Sequence, residues 1–144
     1  MFICGYTVLP VSSRRKAREC ALQLLYQWEG ERAEPVALLP EFWKGREEDA
    51  GTRKFAEQLF LGAAAAADKL DALIAAHSEH WKLDRMAAID RNLLRLAVHE
   101  MRTRADVPPA VVINEALEIA RRFSSADSVE FINGVLDAIR KARI

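Results

Sequence analysis

Arg14-Arg15-Lys16-Ala17-Arg18 is the sharpest chemical feature of the sequence, with four cations in five positions. Arginine carries a planar fork of donors that fits phosphate oxygens and stacks on bases, so nucleic-acid binding is one chemistry open to this run. The bland reading is a solvated charge run with Glu19 and Glu29 as partners. Cations at the start of a helix oppose its dipole, a placement that helix stability would not select. On composition the two readings balance.

The other reactive residue types are weaker signals. His77 and His80 stand three apart, a spacing that can put two imidazoles on one helical face, but a metal site needs a further ligand and an ordered second shell. At a helix end histidine more often caps or faces solvent, and no metal is expected. Cys20 lies among apolar neighbours with no activating histidine nearby, which describes a buried, inert thiol. Glu115 and Glu118 precede Arg121 and Arg122 in the order that supports a helix and need no catalytic role. Asn133-Gly134 interrupts a helical pattern at a cost of about 1 kcal/mol relative to alanine, which marks close helix contact or backbone access. Phe131, just upstream, is a core residue by periodicity and a base-stacking ring by the alternative. There is no Gly-rich phosphate loop, nucleophile elbow or paired metal-ligand motif, so neither an enzyme nor a cofactor is expected.

Composition bounds the rest. The chain has 144 residues, enough for one domain or two small subdomains sharing a core. Lys+Arg and Asp+Glu are both 21, so bulk charge cannot hold a nucleic acid and only a focused patch could. An apolar fraction of 51% supplies an ample core. Two cysteines, Cys4 and Cys20, make no disulfide framework, and a reducing cytoplasm is the default. The longest uncharged stretch after the N-terminus, Gln58 to Ala67, is about half a bilayer crossing, so no membrane span is expected. Residues 1–13 are uncharged and partly apolar, but the positive charges follow them and Gly5 and Pro10 interrupt them, unlike a signal peptide. They read as a flexible extension.

The elements that must position these residues are helical throughout. Ala17, Ala21, Leu24 and Trp28 make one apolar stripe, with Ser12 and Ser13 as N-caps and Gly30 closing the helix. A weaker helix lies between Pro35 and Glu48, interrupted by Pro40. A long third helix spans about Thr52 to Ala76 through Phe55, Leu59, Ala63, Leu70 and Leu73. After Trp81 comes a joint between subdomains 14–80 and 81–144. Ile89, Leu93, Leu96, Ala97 and Met101 describe a fourth helix, with Arg91, Arg95 and Arg102 off the stripe. Asp106-Val107-Pro108-Pro109 stops it and starts a fifth. Asp127 and Glu130 resemble a capping pair for the last. No run alternates with a two-residue period. The expected fold is all-α, without a sheet.

A set of ordered blocks then points to a family. Residues 14–26 (RRKARECALQLLY), Ile89 to Met101 (IDRNLLRLAVHEM), Asp106-Val107-Pro108, Val112 to Ala116 (VINEA), and Asp127-Ser128 followed by Phe131 to Asp137 (FINGVLD) resemble the NusB family of transcription antitermination factors. The resemblance runs from Arg14 to Lys141 in the family's order, and the segment from Gly30 to Gly51 does not carry it.

It implies two small helical bundles packed together. It also implies binding to boxA, a single-stranded element of nascent RNA, together with NusE, a small-subunit ribosomal protein. Other Nus factors and RNA polymerase join the assembled complex, which suppresses premature termination, especially in ribosomal RNA operons. By the same resemblance Arg14, Arg15, Lys16 and Arg18 match the RNA-binding segment, and Arg95, Asp127 and Phe131 match the rest of the RNA surface. Tyr26 and Asp90 match the side facing NusE, while Asn114, Glu115, Asn133 and Gly134 are assigned to structure. Two departures bear on affinity: His99 stands where the family often has tyrosine, and Glu130 adds negative charge beside Phe131. Homodimerisation could hide the arginine segment until RNA or partner competes. The competing classes are a protein-binding helical adaptor without RNA recognition and an RNA-recognition module of an RNA cytosine methyltransferase, for which the chain leaves no room for a cofactor-binding sheet.

Overall fold

A computed structural model of the chain describes residues 2–3, 6–7, 11–78 and 85–142. Seven α-helices carry it: α1 (Val11–Glu31), α2 (Leu39–Trp43), α3 (Ala50–Ala65), α4 (Ala67–Ala76), α5 (Ala88–Thr103), α6 (Pro109–Phe123) and α7 (Ala126–Lys141). A 3-10 turn, Pro35–Leu38, leads into α2. The one β pairing among the described residues is an antiparallel ladder of Phe2–Ile3 (β1) with Tyr6–Thr7 (β2), a feature the sequence pattern does not announce. The fold is all-α. The joint expected after Trp81, together with His80, Cys4, Gly5 and Pro10, lies outside the described residues.

Apolar stripes build the body. α1 lies along α3, and α5 packs against α1, α3, α4, α6 and α7, so it is the central helix. Leu24 and Leu25 of α1, Phe60 of α3, Leu70 and Ile74 of α4, Leu94 of α5, Ile119 of α6 and Ile132, Leu136 and Ile139 of α7 close into one buried cluster. Each such side chain removed from water contributes about 1.5–3 kcal/mol, which is what holds a helix whose isolated stability is marginal.

Element boundaries depart from the sequence pattern for local reasons. α1 begins at Val11, so Ser12 and Ser13 lie inside the helix rather than at its cap. It runs past Gly30 to Glu31, and Arg32 takes the left-handed conformation at φ 54 while its N–H donates to the Trp28 carbonyl at 2.6 Å. Stacking of the Arg32 guanidinium 4.6 Å from the Trp28 ring accompanies that turn. The long third helix is broken at Ala66, with φ −101 and ψ 12. Alanine favours helix, so the break comes from packing: Leu70 and Ile74 on the second half are fully buried, where α4 meets α5 and α7.

Two glycines mean different things. A Cβ on Gly62 would fall 2.2 Å from Nε2 of His99, so the imidazole of α5 lies against α3 where only glycine leaves it room without moving the ring. Gly134 has open space around it and is exposed, which removes close helix contact as its reason and leaves access to the backbone of α7.

Candidate nucleic-acid interface

The N-terminal cations do not form one free patch. Arg15 on α1 donates through Nε and Nη2 to the two oxygens of Glu115 on α6, at 3.0 and 2.7 Å. Arg18 donates the same way to Glu100 on α5, at 2.9 and 2.6 Å, and its Nη1 stands 3.7 Å from Glu115. Glu100 and Glu115 are therefore the partners, in place of the Glu19 and Glu29 suggested by sequence. The side chains of Arg18 and Glu100 are only 7% and 2% exposed, so Arg18 belongs to the interior rather than to the basic surface. Arg15 keeps 37% of its side chain exposed, Arg14 is half-buried and Lys16 is exposed.

Beneath them lies Phe55 of α3, buried, with three guanidiniums over its ring: Arg14 at 5.4 Å, Arg18 at 5.5 Å and Arg104 at 4.6 Å from the centroid. Cation–π attraction and two buried carboxylates thus offset the repulsion of a basic run at a helix start. Phe55 and Arg104 escaped the sequence reading. Phe55 looked like one more member of a stripe, and only its three-dimensional neighbours distinguish it.

Arg95 is also interior. It donates from Nε and Nη2 to Asp71 of α4 at 2.6 and 2.8 Å, and from Nη1 to Glu29 of α1 and to Asn92. Arg91 completes the set with a paired contact to Glu29 and a bond to the Met86 carbonyl. Both arginines, expected off the apolar stripe, face other helices because α5 is surrounded. Their hydrogen bonds lower the pKa of Glu29, that from Arg91 most strongly, and Arg15 does the same for Glu115. A carboxylate whose folded pKa is depressed stabilises the fold above its unfolded pKa, 4.5 here, and loses that contribution as pH falls toward the folded value. The melting temperature is therefore expected to be level above about pH 7, to decline as pH falls below about 6.5 because burial holds His99 below its ordinary pKa, and to fall further below about pH 4.5 as the two carboxylates lose their contribution. Calorimetry across that range checks it; a midpoint that kept rising with acid would contradict the sign.

The second candidate face lies at the start of α7. Asp90 of α5 is buried and accepts from the hydroxyls of Ser124 and Ser128, both at 2.7 Å. That pins the α6–α7 corner to α5. Ser125 caps α7 by accepting from the Ser128 N–H at 3.1 Å, so Asp127 is not the cap and stands exposed in the first turn. Arg85, Met86, Asp90, Ser128, Asp127 and Phe131 line one open cavity. Phe131 is half-buried and packs against the core, as its periodicity predicts. Asp90, which the resemblance puts toward a partner protein, has both of its oxygens engaged by the Ser124 and Ser128 hydroxyls.

Asp90 and Glu100 sit ten residues apart on α5, so the α7 face and the arginine segment lie about 15 Å apart along that helix. Tyr26 occupies a third place. It is 54% exposed on α1 and lines an apolar groove with Leu22, Ile89 and the exposed Phe123. The structure thus brings Asp127 and Phe131 together, keeps Arg14, Arg15 and Lys16 together, and separates both from Arg95.

The remaining reactive groups have local explanations. His77 Nδ1 hydrogen-bonds the Leu73 carbonyl at 2.9 Å, and no metal-ligating group of three exists among the described residues. Burial pushes the Cys20 thiol up, away from reactivity, and pushes His99 down. No helix among the described residues is long and apolar enough to cross a membrane.

The chain is similar to known proteins in both sequence and fold. The NusB family model matches residues 15–141. The transcription antitermination protein NusB of Koribacter versatilis is 46% identical, covering 92% of each chain, and that of Myxococcus xanthus is 43% identical, covering 92% of this chain and 97% of the other. Among solved structures, T. maritima NusB superposes with a TM-score of 0.82 at 34% identity, over 94% of this chain and 93% of that one. A chain of the crystal structure of antitermination factors NusB and NusE in complex with dsRNA superposes at 0.79 with 26% identity, over 92% and 99%. With sequence and fold agreeing over nearly its whole length, the chain belongs to the NusB family.

Proposed function

We propose that this chain is an RNA-binding transcription antitermination factor that takes boxA single-stranded RNA jointly with NusE and helps RNA polymerase read through, chiefly in ribosomal RNA operons. The observation that supports this is its correspondence, over 92% of its length, to a chain solved in a complex of NusB and NusE with dsRNA. Arg14, Arg15 and Lys16 meet phosphates at one end of α5, while Asp127 and Phe131 meet bases at the other. Arg18, Arg95 and Asp90 support these surfaces from inside. Tyr26, with Phe123, offers NusE an apolar seat. The chain works in the cytoplasm, without catalysis, as two subdomains of residues 14–80 and 81–144 behind an N-terminal extension.

Fluorescence anisotropy of a labelled boxA RNA against a scrambled one, with and without NusE, tests it. Selective binding strengthened by NusE is expected. Phe131→Ala should weaken boxA binding by roughly 5- to 100-fold, the value of one base–aromatic stack, with the helical circular dichroism unchanged. Equal, salt-sensitive binding to both RNAs would leave an unspecific basic patch and favour a protein-binding adaptor.

A further inference from the structure

Arg15 differs from its neighbours in being both held and open. Glu115 takes the Nε–Nη2 edge of its guanidinium at 3.0 and 2.7 Å, and the carboxylate itself is 5% exposed. The Nη1 side has no carboxylate partner among the described residues, and the side chain is 37% exposed. A planar fork anchored along one edge can present its remaining N–H groups in one direction only. The anchor comes from α6, one hundred residues along the chain, so folding itself fixes the direction.

We infer that Glu115 is a specificity-determining residue for RNA, acting through Arg15; this rests on the RNA-binding reading above. Two effects of the carboxylate run the same way. Anchoring the guanidinium removes its rotamer freedom during folding, so a phosphate arriving in the right place meets a donor that needs no further ordering. A phosphate arriving elsewhere finds that edge already occupied, and the negative charge of Glu115 offsets the charge of Arg15 at longer range. Correctly placed phosphates are favoured and misplaced ones are not. Arg18 does not share the role, because Glu100 holds it in the interior.

The replacement Glu115→Gln keeps the shape and breaks the charge-assisted fork. It is expected to lower the ratio of boxA to scrambled-RNA affinity by about 3- to 10-fold, the range for one side chain that must be ordered on binding. The salt dependence of scrambled-RNA binding should steepen by up to about one counterion, as Arg15 is released to unspecific phosphates. In an Arg15→Ala background the same replacement should leave the ratio unmoved, since the coupling runs through that one side chain. Affinities are taken at a temperature where circular dichroism shows each variant folded. An unchanged ratio in the folded Glu115→Gln protein, equal gains for both RNAs, or the same loss without Arg15 would each overturn the inference. A wild-type ratio near one would instead overturn the RNA reading itself.

Discussion

Arg18→Ala is expected to lower the unfolding free energy by about 3–5 kcal/mol, the usual result of removing one partner of a buried ion pair. In a chain of this size that is a fall in melting temperature of roughly 10–15 °C. The loss arises because Glu100, 2% exposed, would be left buried with its two charge-assisted bonds gone, while Glu115 still has Arg15. Phe55 would also lose one of its three stacked guanidiniums. Replacing both partners, Arg18→Met with Glu100→Leu, should recover most of the loss, since buried pairs exchanged for apolar groups of similar volume are often neutral or better. Thermal unfolding of the three proteins decides it. A single-variant loss under about 1 kcal/mol would mean that water reaches Glu100 and that the pair behaves like a surface bridge. The same reasoning disqualifies charge reversal at Arg18 as a probe of RNA binding, because a third carboxylate there would unfold the node before RNA is added.

How much of this was legible in the sequence depends on distance along the chain. The helices were legible because their stripes are local: Leu24, Leu59, Leu70 and Leu93 fall on stripes with the helical period, and each is buried. The family was legible too, because its blocks stand in order. The burial of Arg18 and Arg95 was not, since their partners lie 82 and 66 residues away in Glu100 and Glu29. A residue off the main stripe is solvent-facing on an outer helix and interior on a central one, and nothing within α5 states how many neighbours it has. The cap of α7 was misread for a smaller reason: Ser125 and Asp127 are both good N-cap types, and only the backbone shows which one precedes the first turn. Gly62 drew no notice because its constraint, the ring of His99, comes from another helix.

Arg95→Ala extends the same physics to the middle of α5 and separates a supporting residue from a contacting one. Its guanidinium joins Asp71 of α4 and Glu29 of α1 to α5, so truncation leaves two carboxylates facing one another without their shared cation. These carboxylates are 24% and 17% exposed, and water relieves part of the penalty. The expected loss is about 2–4 kcal/mol, below that of Arg18→Ala. Arg95→Lys should recover little of it, because an ammonium cannot span Asp71 and Glu29 with a planar fork. Chemical denaturation measures both. The RNA readout moves independently: Arg95 is 3% exposed, so the folded variant should bind boxA RNA within about twofold of wild type while Phe131→Ala loses far more. A tenfold loss of RNA affinity with stability intact would place the guanidinium on the RNA, which would require α4 and α5 to part on binding.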